Sequence, residues 1–374
     1  MGAEILLYGY GLVCLSMLAF NLVYGLHLRS GDRRLRKRTA VLARRVEAQV
    51  RNVGEGRPVR DRHLVWMRRR LSRVSWLLTF DRFLEGRDGE EVFREYLCQL
   101  RPVFLYLTSV YCRRDDTQAA YFCHFLARNR FLRRMQMDQF QQMLLTYLKK
   151  DSLYCRVNAL KALCAFGSPE TLIDALRQLG SQPGTQLHEK VITEALLSYT
   201  GEAGEIIRRL WERFDQLDPS IQRAVLDYIR FASGDYGGQM GQILRDRGRD
   251  KELRFAAIRY FGRYPDPEMR SALLEFVRDP DPLRWEYAAI SAAALARYPG
   301  QEVVDGLMRA MSSPSWYVRY NASASLEAHG LSYEELLQVL GGGDRYAREM
   351  LTYRLEVGRM ERAARTEAEQ EAAV

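Results

Sequence analysis

The sequence predicts an all-α protein, an α-solenoid of helical hairpins preceded by one transmembrane helix. Three observations support this class: an apolar run near the N-terminus, a basic segment directly after it, and a helical pattern that recurs about every 32 residues. The predicted organisation is a transmembrane anchor (1–28), basic amphipathic juxtamembrane helices (29–86), an N-terminal helical cap or degenerate repeats (87–150), helical repeats (151–356) and a polar tail (357–374).

The apolar run extends from Ile5 to Leu28 without Asp, Glu, Lys or Arg. As a helix it spans roughly 36 Å, which is enough for a hydrocarbon core of about 30 Å. Tyr8, Tyr10 and Tyr24 fall near its ends, where aromatic rings suit the membrane interface. A cleaved signal peptide would need a basic stretch before the run, but only Glu4 is charged there. We expect a retained anchor; a cleaved signal and a buried core helix are the alternatives.

Basic residues are concentrated directly after this run. Arg29 to Arg73 holds 16 Lys or Arg against 4 acidic residues, whereas the rest of the chain has 40 against 43. Positive residues flanking a span stay on the cytoplasmic side. We therefore expect a single-pass protein of the cell membrane, with its N-terminus outside and its repeats in the cytoplasm. The predicted membrane-proximal basic residues are Arg33, Arg34, Arg36, Lys37, Arg38, Arg68, Arg69, Arg70 and Arg73.

The basic segment also carries apolar stripes at helical spacing. The clearer stripe consists of Leu64, Met67, Leu71, Val74 and Leu78. Trp66 and Trp76 flank it, and the arginines cover the other side. Such a helix can lie in the interface of an anionic membrane, or it can pack its apolar face on the first repeats. The sequence leaves both interpretations open.

A basic marker residue recurs through the second half of the chain. The markers, with two departures, are Arg156, Lys190, Arg223, Arg254, Glu286, Arg319 and Arg348. Helix-capping residues stand four or five positions earlier, namely Asp151, Thr185, Asp218, Asp250, Asp281 and Ser315. Small residues follow three positions after four markers (Ala159, Ala257, Ala289, Ala322), and Gly or Pro ends each first helix. A single pair of helices cannot bury its apolar face, but stacked pairs share a core.

This pattern resembles the HEAT repeat, in its short bacterial HEAT-like form. The Asp-x-x-x-x-Arg-x-x-Ala arrangement of Asp151, Arg156 and Ala159, and the stretch "DKELRFAA", carry the resemblance. The resemblance implies that the marker arginines and the preceding Asp bind successive repeats together. The residues to which this structural role is assigned are Asp151, Arg156, Arg223, Arg254 and Arg319. Lys190 and Glu286 depart from the pattern, so we expect their repeats to pack differently.

No motif for catalysis or metal binding is recognisable. The five histidines are far apart, and neither HExxH nor a phosphate-binding P-loop occurs. The six cysteines form no CxxC pair and fall on helical stretches, so we interpret them as reduced core thiols. We therefore predict no catalytic, cofactor-binding or metal-binding residues and expect that the protein is not an enzyme.

We expect a membrane-anchored scaffold that binds proteins on the concave face of its repeats. The partner should itself be membrane-associated, such as an enzyme of envelope or polysaccharide synthesis, for instance a glycosyltransferase. A HEAT-like enzyme of the lyase type is an alternative. Nucleic-acid binding through the basic segment is another, but the charge is confined to Arg29–Arg73 rather than spread along the repeats, so it is disfavoured.

Overall fold

The structure is a computed structural model of the whole chain. It describes the backbone except at residues 1, 88–89, 130–137, 182–185 and 373–374, and it describes no side chains at 2–7, 23, 25–32 and 370–372. Within these limits the chain folds into helices joined by loops, and none of the described residues belongs to a strand. The predicted all-α class is confirmed.

The chain divides into two compact units. Unit 1 comprises Met1–Leu187 and Ser198–Glu202, and unit 2 comprises His188–Leu197 and Ala203–Val374. The described helices of unit 1 are α1 (Gly2–Gly54), α2 (Asp61–Leu71), α3 (Val74–Leu84), α4 (Glu91–Gln99), α5 (Arg101–Cys112), α6 (Asp116–Arg128), α7 (Asp138–Leu145), α8 (Leu153–Phe166) and α9 (Pro169–Gly180). Those of unit 2 are α10 (Glu189–Leu197), α11 (Ala203–Glu212), α12 (Pro219–Ala232), α13 (Gly237–Arg245), α14 (Lys251–Arg263), α15 (Arg270–Arg278), α16 (Trp285–Ala294), α17 (Gln301–Ala310), α18 (Trp316–Ala328), α19 (Leu337–Leu340) and α20 (Arg345–Ala372).

Helix α1 joins two segments that the sequence suggested were separate. It runs without interruption from the apolar run into the basic segment, where a new helix was expected near Asp32. Large apolar side chains are exposed along its first part, including Tyr8 at 77% and Leu18 at 68%. The side chains of 5–7, 23 and 25–28 of the predicted span lie outside the described residues. Among the residues that the structure describes, no helix is long and apolar enough to cross a bilayer.

The basic segment packs its apolar stripes into unit 1. Leu42 and Val46 of α1 are fully buried, and α1 contacts α3 and α4. Met67 and Leu71 of α2 are likewise buried, and α2 contacts α3 and α5. Of the two interpretations left open, packing on neighbouring helices therefore accounts for the apolar faces, and the charged faces remain on the surface.

The region between the basic segment and the repeats has an aromatic core. The rings of Tyr111 and Phe122 stack with 4.7 Å between centroids. Buried hydroxyl groups in this core donate to backbone carbonyls. Tyr111 donates to the carbonyl of Leu71 over 2.7 Å, and Tyr147 donates to the carbonyl of Thr108 over 2.6 Å. Helix α6 packs along α8, which carries the first marker arginine. Aromatic packing thus replaces the marker pattern in this part of the chain.

Unit 2 consists of helical pairs in sequence. The first helices α10, α12, α14, α16, α18 and α20 each pack on the next, and each second helix packs on the first helix that follows it. Ala257, Ala289 and Ala322 are buried as predicted. Gly262 of α14 lies so close to α16 that a Cβ there would stand 3.1 Å from the Cα of Ala294. The arrangement is compatible with a helical repeat solenoid.

The predicted caps of the first helices are confirmed at Asp218 and Asp250, whose carboxylates accept from the amide two residues later. Asp281 makes the same bond, but it caps the 3₁₀ turn Pro282–Arg284 that precedes α16. At α8 the prediction was wrong, because Ser152 and not Asp151 is the cap and its hydroxyl accepts from the amide of Cys155. Ser315 stands at the cap position of α18, but its side chain accepts no hydrogen bond there. Thr185 lies outside the described residues.

The C-terminal end departs from the predicted boundaries. The last second helix, α19, covers only Leu337–Leu340. The polar tail, predicted as a separate segment from residue 357, continues α20. Arg362 in this tail forms an ion pair with Glu327 of α18. The tail is thereby held against the last repeat.

Candidate protein-interaction surface

The marker arginines bind backbone carbonyls around the start of each first helix. Arg156 donates from Nη1 to the carbonyl of Lys150, six residues earlier, over 3.2 Å. Arg319 makes the equivalent bond to Ser313 over 2.7 Å, and Arg348 makes it to Gly342. Each bond ties the first turn of a helix to the loop that enters it. These arginines therefore hold the connections between pairs.

Two other markers bridge neighbouring pairs through side chains. Arg254 is buried and donates from Nε to the carbonyl of Leu244 over 3.1 Å and from Nη1 to the hydroxyl of Tyr287 over 3.0 Å. Arg223 forms an ion pair with Glu189 of the preceding first helix, with 3.0 Å between Nε and Oε2. The departing marker Glu286 pairs with Lys251. Charge pairs across the stack thus accompany the backbone bonds.

Asp151 does not pair with Arg156 through its carboxylate. Arg156 donates to the backbone carbonyl of Asp151 over 3.3 Å, and the Asp151 side chain is exposed. The Asp of the motif therefore acts at this position through its main chain. Lys190, the other departing marker, is exposed on α10.

The predicted membrane-proximal basic residues fall into two groups. Arg33, Arg34, Arg36 and Lys37 are exposed on α1 beyond the apolar run, and Arg38 is half-buried. On the second helical segment, Arg69 and Arg73 are exposed, whereas Arg68 and Arg70 are half-buried. Arg68 lies with its Cζ 5.7 Å from the ring centre of Tyr106, and Arg70 lies 4.9 Å from that of Trp76. Arg68 and Arg70 thus make cation–π contacts with aromatic rings, whereas the exposed basic residues of α1 face solvent.

All six cysteines are free thiols, but only Cys123, Cys155 and Cys164 are buried as core thiols, whereas Cys14, Cys98 and Cys112 are half-buried. Burial raises the pKa of the Cys123 thiol, and it raises that of Cys164 to about 12. His124, next to Cys123, is exposed. Among the described residues no three of His, Cys, Asp and Glu come together in a cluster that could hold a metal ion.

Unit 2 carries an aromatic groove, defined here by Trp285, Trp316 and Tyr317, which line a depression, and by Tyr320, whose ring extends their row. It lies where the loop before α16 and the loop before α18, equivalent in successive repeats, face each other across α17. The depression has a volume of 760 Å³, within the usual range of about 300–1,000 Å³ for binding sites. The repeat therefore places two similar loops side by side.

The four rings of the groove form a continuous row. Trp285 stacks on Tyr317 at 5.3 Å between centroids, Tyr317 meets Trp316 edge to face at 5.3 Å, and Trp316 stacks on Tyr320 at 4.9 Å. Trp316 is 51% exposed and Tyr317 is 57% exposed. Large aromatic side chains that contact each other and yet face solvent form an apolar surface with fixed geometry.

Short polar bonds hold the loops of the groove in place. Asp279 accepts from the amide of Asp281 over 3.0 Å, and Asp281 in turn accepts from the amide of Leu283 over 2.9 Å. Arg284 donates from Nη1 to the carboxylate of Asp279 over 2.5 Å. The opposite loop is held by the bond from Arg319 to Ser313. The rings thus project from the N-terminal ends of α16 and α18, directly after loops that these bonds order.

The aromatic groove was not predicted from the sequence. Its signal was present in "DPLRWEY" and "SPSWYVRY", where large apolar residues occupy the first turn of a first helix, outside the core positions of the repeat. In "RDPDP" the carboxylates of Asp279 and Asp281 accept from the amides two residues later and form the turn before α16. No protein family matches the chain, and no curated protein is significantly similar to it.

Proposed function

We propose that this protein is a membrane-anchored HEAT-like scaffold that binds a protein partner at the aromatic groove of unit 2. The observation that carries the proposal is the row of four contacting aromatic rings at the N-terminal ends of α16 and α18, the first helices of two successive repeats. Trp, Tyr and Arg dominate the energetic centres of protein interfaces, and Trp and Tyr bury a large area at little entropic cost because their side chains are rigid. The role is binding rather than catalysis.

The rim of the groove supports a protein ligand. Pro280, Pro282 and Pro314 line it and stiffen its edges, and Arg278 and Arg309 stand beside them. Arg278 pairs with Glu302 over 3.1 Å, and Arg284 pairs with Asp279. An apolar centre with a rim of paired charges is the usual composition of a protein interface. The same pairs also favour a scaffold over an enzyme of the lyase type, because these ionisable groups are already engaged with one another.

The anchor is the second part of the proposal. The described apolar side chains from Tyr8 to Leu22 of α1 are exposed, and exposed Arg33 and Arg34 follow on the same helix. An apolar helix continued by arginines suits an N-out anchor with its basic end at the anionic inner leaflet. Anchoring raises the effective concentration of the groove for membrane partners. We therefore infer that the partner is a membrane protein, and we favour an enzyme of envelope or polysaccharide synthesis, such as a glycosyltransferase.

Photo-crosslinking in cells tests the proposal directly. A photoreactive amino acid is placed at Tyr317 in the groove, and a matched one at Tyr353, which is equally exposed on α20. We expect one membrane protein to be crosslinked from position 317 and not from 353, and we expect the adduct to disappear with Trp316→Ala. Equal crosslinking from both positions, or none from 317, would refute the groove as the binding site.

The anchor has its own control. Deletion of Met1–Leu28 should move the protein from the carbonate-washed membrane pellet to the supernatant and should weaken the crosslink from position 317. If the shortened chain stays in the pellet, the anchor is refuted. Retention of the full crosslink by a soluble chain would refute the membrane partner while leaving the groove intact.

A further inference from the structure

A second depression in unit 2 is lined by arginines. The arginine pocket is defined here by Arg230 of α12, Arg259 and Arg263 of α14, and Arg297 in the turn after α16. Its volume is 470 Å³. Arg230, Arg263 and Arg297 are 33 and 34 residues apart, close to the repeat period, so stacking of the first helices brings their C-terminal ends together. No carboxylate lines the pocket among the described residues.

The floor and wall of the pocket consist of small and aromatic residues. Gly262, Ala293 and Ala294 form the floor, where the close approach of α14 and α16 leaves no side chain to fill the space. Phe231 forms a wall and is half-exposed. The Cζ of Arg230 lies 4.5 Å from the centre of its ring, and that of Arg263 lies 5.4 Å from it. The ring therefore positions two of the guanidinium groups.

The arginines retain unused hydrogen-bonding capacity. Arg297 uses Nη1 to donate to the carbonyl of Arg263 over 3.0 Å, and Arg230 pairs with Asp227 over 3.0 Å. The Nε of Arg230 is buried and has no hydrogen-bond partner among the described residues. Burial lowers the pKa of the Arg230 guanidinium; the Asp227 carboxylate opposes this change, and Arg259 and Arg263 add to it. Arg230 is thus held, partly buried, among like charges.

The net charge of the arginine pocket is positive even after the nearby negative charges are subtracted. Asp227 offsets one of the four guanidinium charges, and the three helix C-termini contribute roughly half a negative charge each. The excess is roughly one and a half positive charges. A phosphate monoester carries about −1.5 to −2 at neutral pH, and the planar fork of a guanidinium pairs with its oxygens at two points. Arginines at helix C-termini also stabilise the helices, but that role does not require four of them around one depression.

We propose that the arginine pocket binds a phosphoryl group, carried either by a soluble phosphate ester or by a lipid headgroup. The guanidinium groups of Arg230, Arg259, Arg263 and Arg297 would surround the phosphate oxygens, and Phe231 would lie beside the group that bears the phosphate. This site is independent of the aromatic groove, which uses other residues. The scaffold would then hold a phosphorylated ligand and a protein partner on one unit.

The test is equilibrium dialysis of radiolabelled pyrophosphate against the full chain in detergent micelles at fixed ionic strength. We expect one pyrophosphate bound per chain. Ala293→Leu fills the pocket without changing charge and should weaken binding at least tenfold, as should the double substitution Arg259→Gln and Arg263→Gln. Ala328→Leu, at an exposed alanine of α18, and Arg247→Gln, at an exposed arginine before α14, are the matched controls and should bind as the unaltered chain does.

The outcomes distinguish binding of pyrophosphate in the arginine pocket from general electrostatic attraction to basic residues elsewhere on the chain. Binding that survives Ala293→Leu, or that Arg247→Gln weakens as much as the pocket substitutions do, would overturn the proposal, and so would a failure to bind pyrophosphate at all. Circular dichroism establishes that each variant is folded, and if the double arginine variant does not fold, Ala293→Leu carries the test. Displacement of bound pyrophosphate by phosphatidic acid in the micelles, at concentrations where inorganic phosphate has little effect, would assign the pocket to a lipid headgroup. The reverse would assign it to a soluble ligand.

Discussion

The aromatic groove and the arginine pocket lie at opposite ends of the same helices. Trp285 begins α16 and belongs to the groove, whereas Ala294 ends α16 and belongs to the pocket. Ten residues of helix, or about 15 Å, separate the two surfaces. One end exposes rings with paired carboxylates, and the other exposes guanidinium groups without lining carboxylates.

The difference follows the helix dipole. Asp218 and Asp250 lie at the N-terminal ends of α12 and α14, where negative charge is favourable, and Arg230 and Arg263 lie in the last turns of the same helices, where positive charge is favourable. Because the helices stack in register, these local preferences add up to two faces of opposite character. A repeat whose individual helices carry no motif for catalysis or metal binding can thereby present two chemically distinct surfaces.

The largest effect should come from a change that disrupts both surfaces together. Arg254 joins α14 to α16 through Tyr287 and is buried, so Arg254→Ala loses two bonds made by a charged group. We expect a loss of about 3 kcal/mol in the free energy of unfolding. Arg259→Ala, at an exposed position on the same helix, should change it by less than about 0.5 kcal/mol. Chemical denaturation measures both, and equal losses would show that Arg254 does not join the repeats.

A substitution in the aromatic groove alone should weaken binding of the partner and leave pyrophosphate binding unchanged. Trp316→Ala removes the central ring of the row, and we expect the affinity for the crosslinked partner to fall about thirtyfold, or about 2 kcal/mol. Pyrophosphate binding should be unaffected, because Trp316 does not line the pocket. Titration of purified partner and of pyrophosphate with the same variant tests this separation. A parallel loss of both would mean that the groove and the pocket are coupled.

A substitution in the floor of the arginine pocket should instead abolish pyrophosphate binding and leave binding of the partner unchanged. Gly262→Leu places a side chain against α16, and we expect it to reduce stability by about 1–3 kcal/mol and to abolish pyrophosphate binding. Gly204→Leu on α11, where nothing lies within 4 Å, is the control and should be nearly neutral. Melting temperatures with and without pyrophosphate report both effects. A Gly262→Leu protein as stable as the control would show that α14 and α16 can move apart at little cost.

The smallest effect we predict concerns salt. An increase in ionic strength from about 0.05 to 0.5 M shortens the screening length from roughly 14 to 4 Å, so pyrophosphate binding should weaken about fivefold. Binding of the partner at the apolar centre of the groove should change less than twofold. Parallel titrations at the two salt concentrations give the comparison. Equal salt dependence would contradict the different chemistry assigned to the two surfaces.

The parts of the fold that follow from local chemistry were predictable. Caps at Asp218 and Asp250 and small residues at Ala257 and Ala289 depend on neighbours a few positions away, and their spacing specified the helical pairs. The continuity of α1 was not predictable in the same way, because nothing near Asp32 decides whether one helix or two form. The anchor itself remains a prediction.

The two surfaces differ in how far sequence alone could have revealed them. Arg230, Arg263 and Arg297 follow the repeat period, so the pocket could have been found by aligning the C-terminal ends of the first helices. The groove could be found only in part: large rings outside the core positions are visible in the sequence, but Trp285 and Trp316 occupy different positions relative to their markers, so the sequence does not show that they meet through Tyr317. Their contact depends on the offset between stacked pairs, which no local pattern encodes.

Helix α1 has a mechanical consequence. Its exposed apolar end and its buried residues Leu42 and Val46 belong to one uninterrupted element, and about 20 Å of helix separates Arg29 from Leu42. A bilayer that holds the apolar end would therefore fix both the distance of unit 1 from the membrane and its rotation about the axis of α1. Removal or insertion of a single residue between Arg36 and Arg38 would turn unit 1 by about 100° around that axis relative to the apolar end.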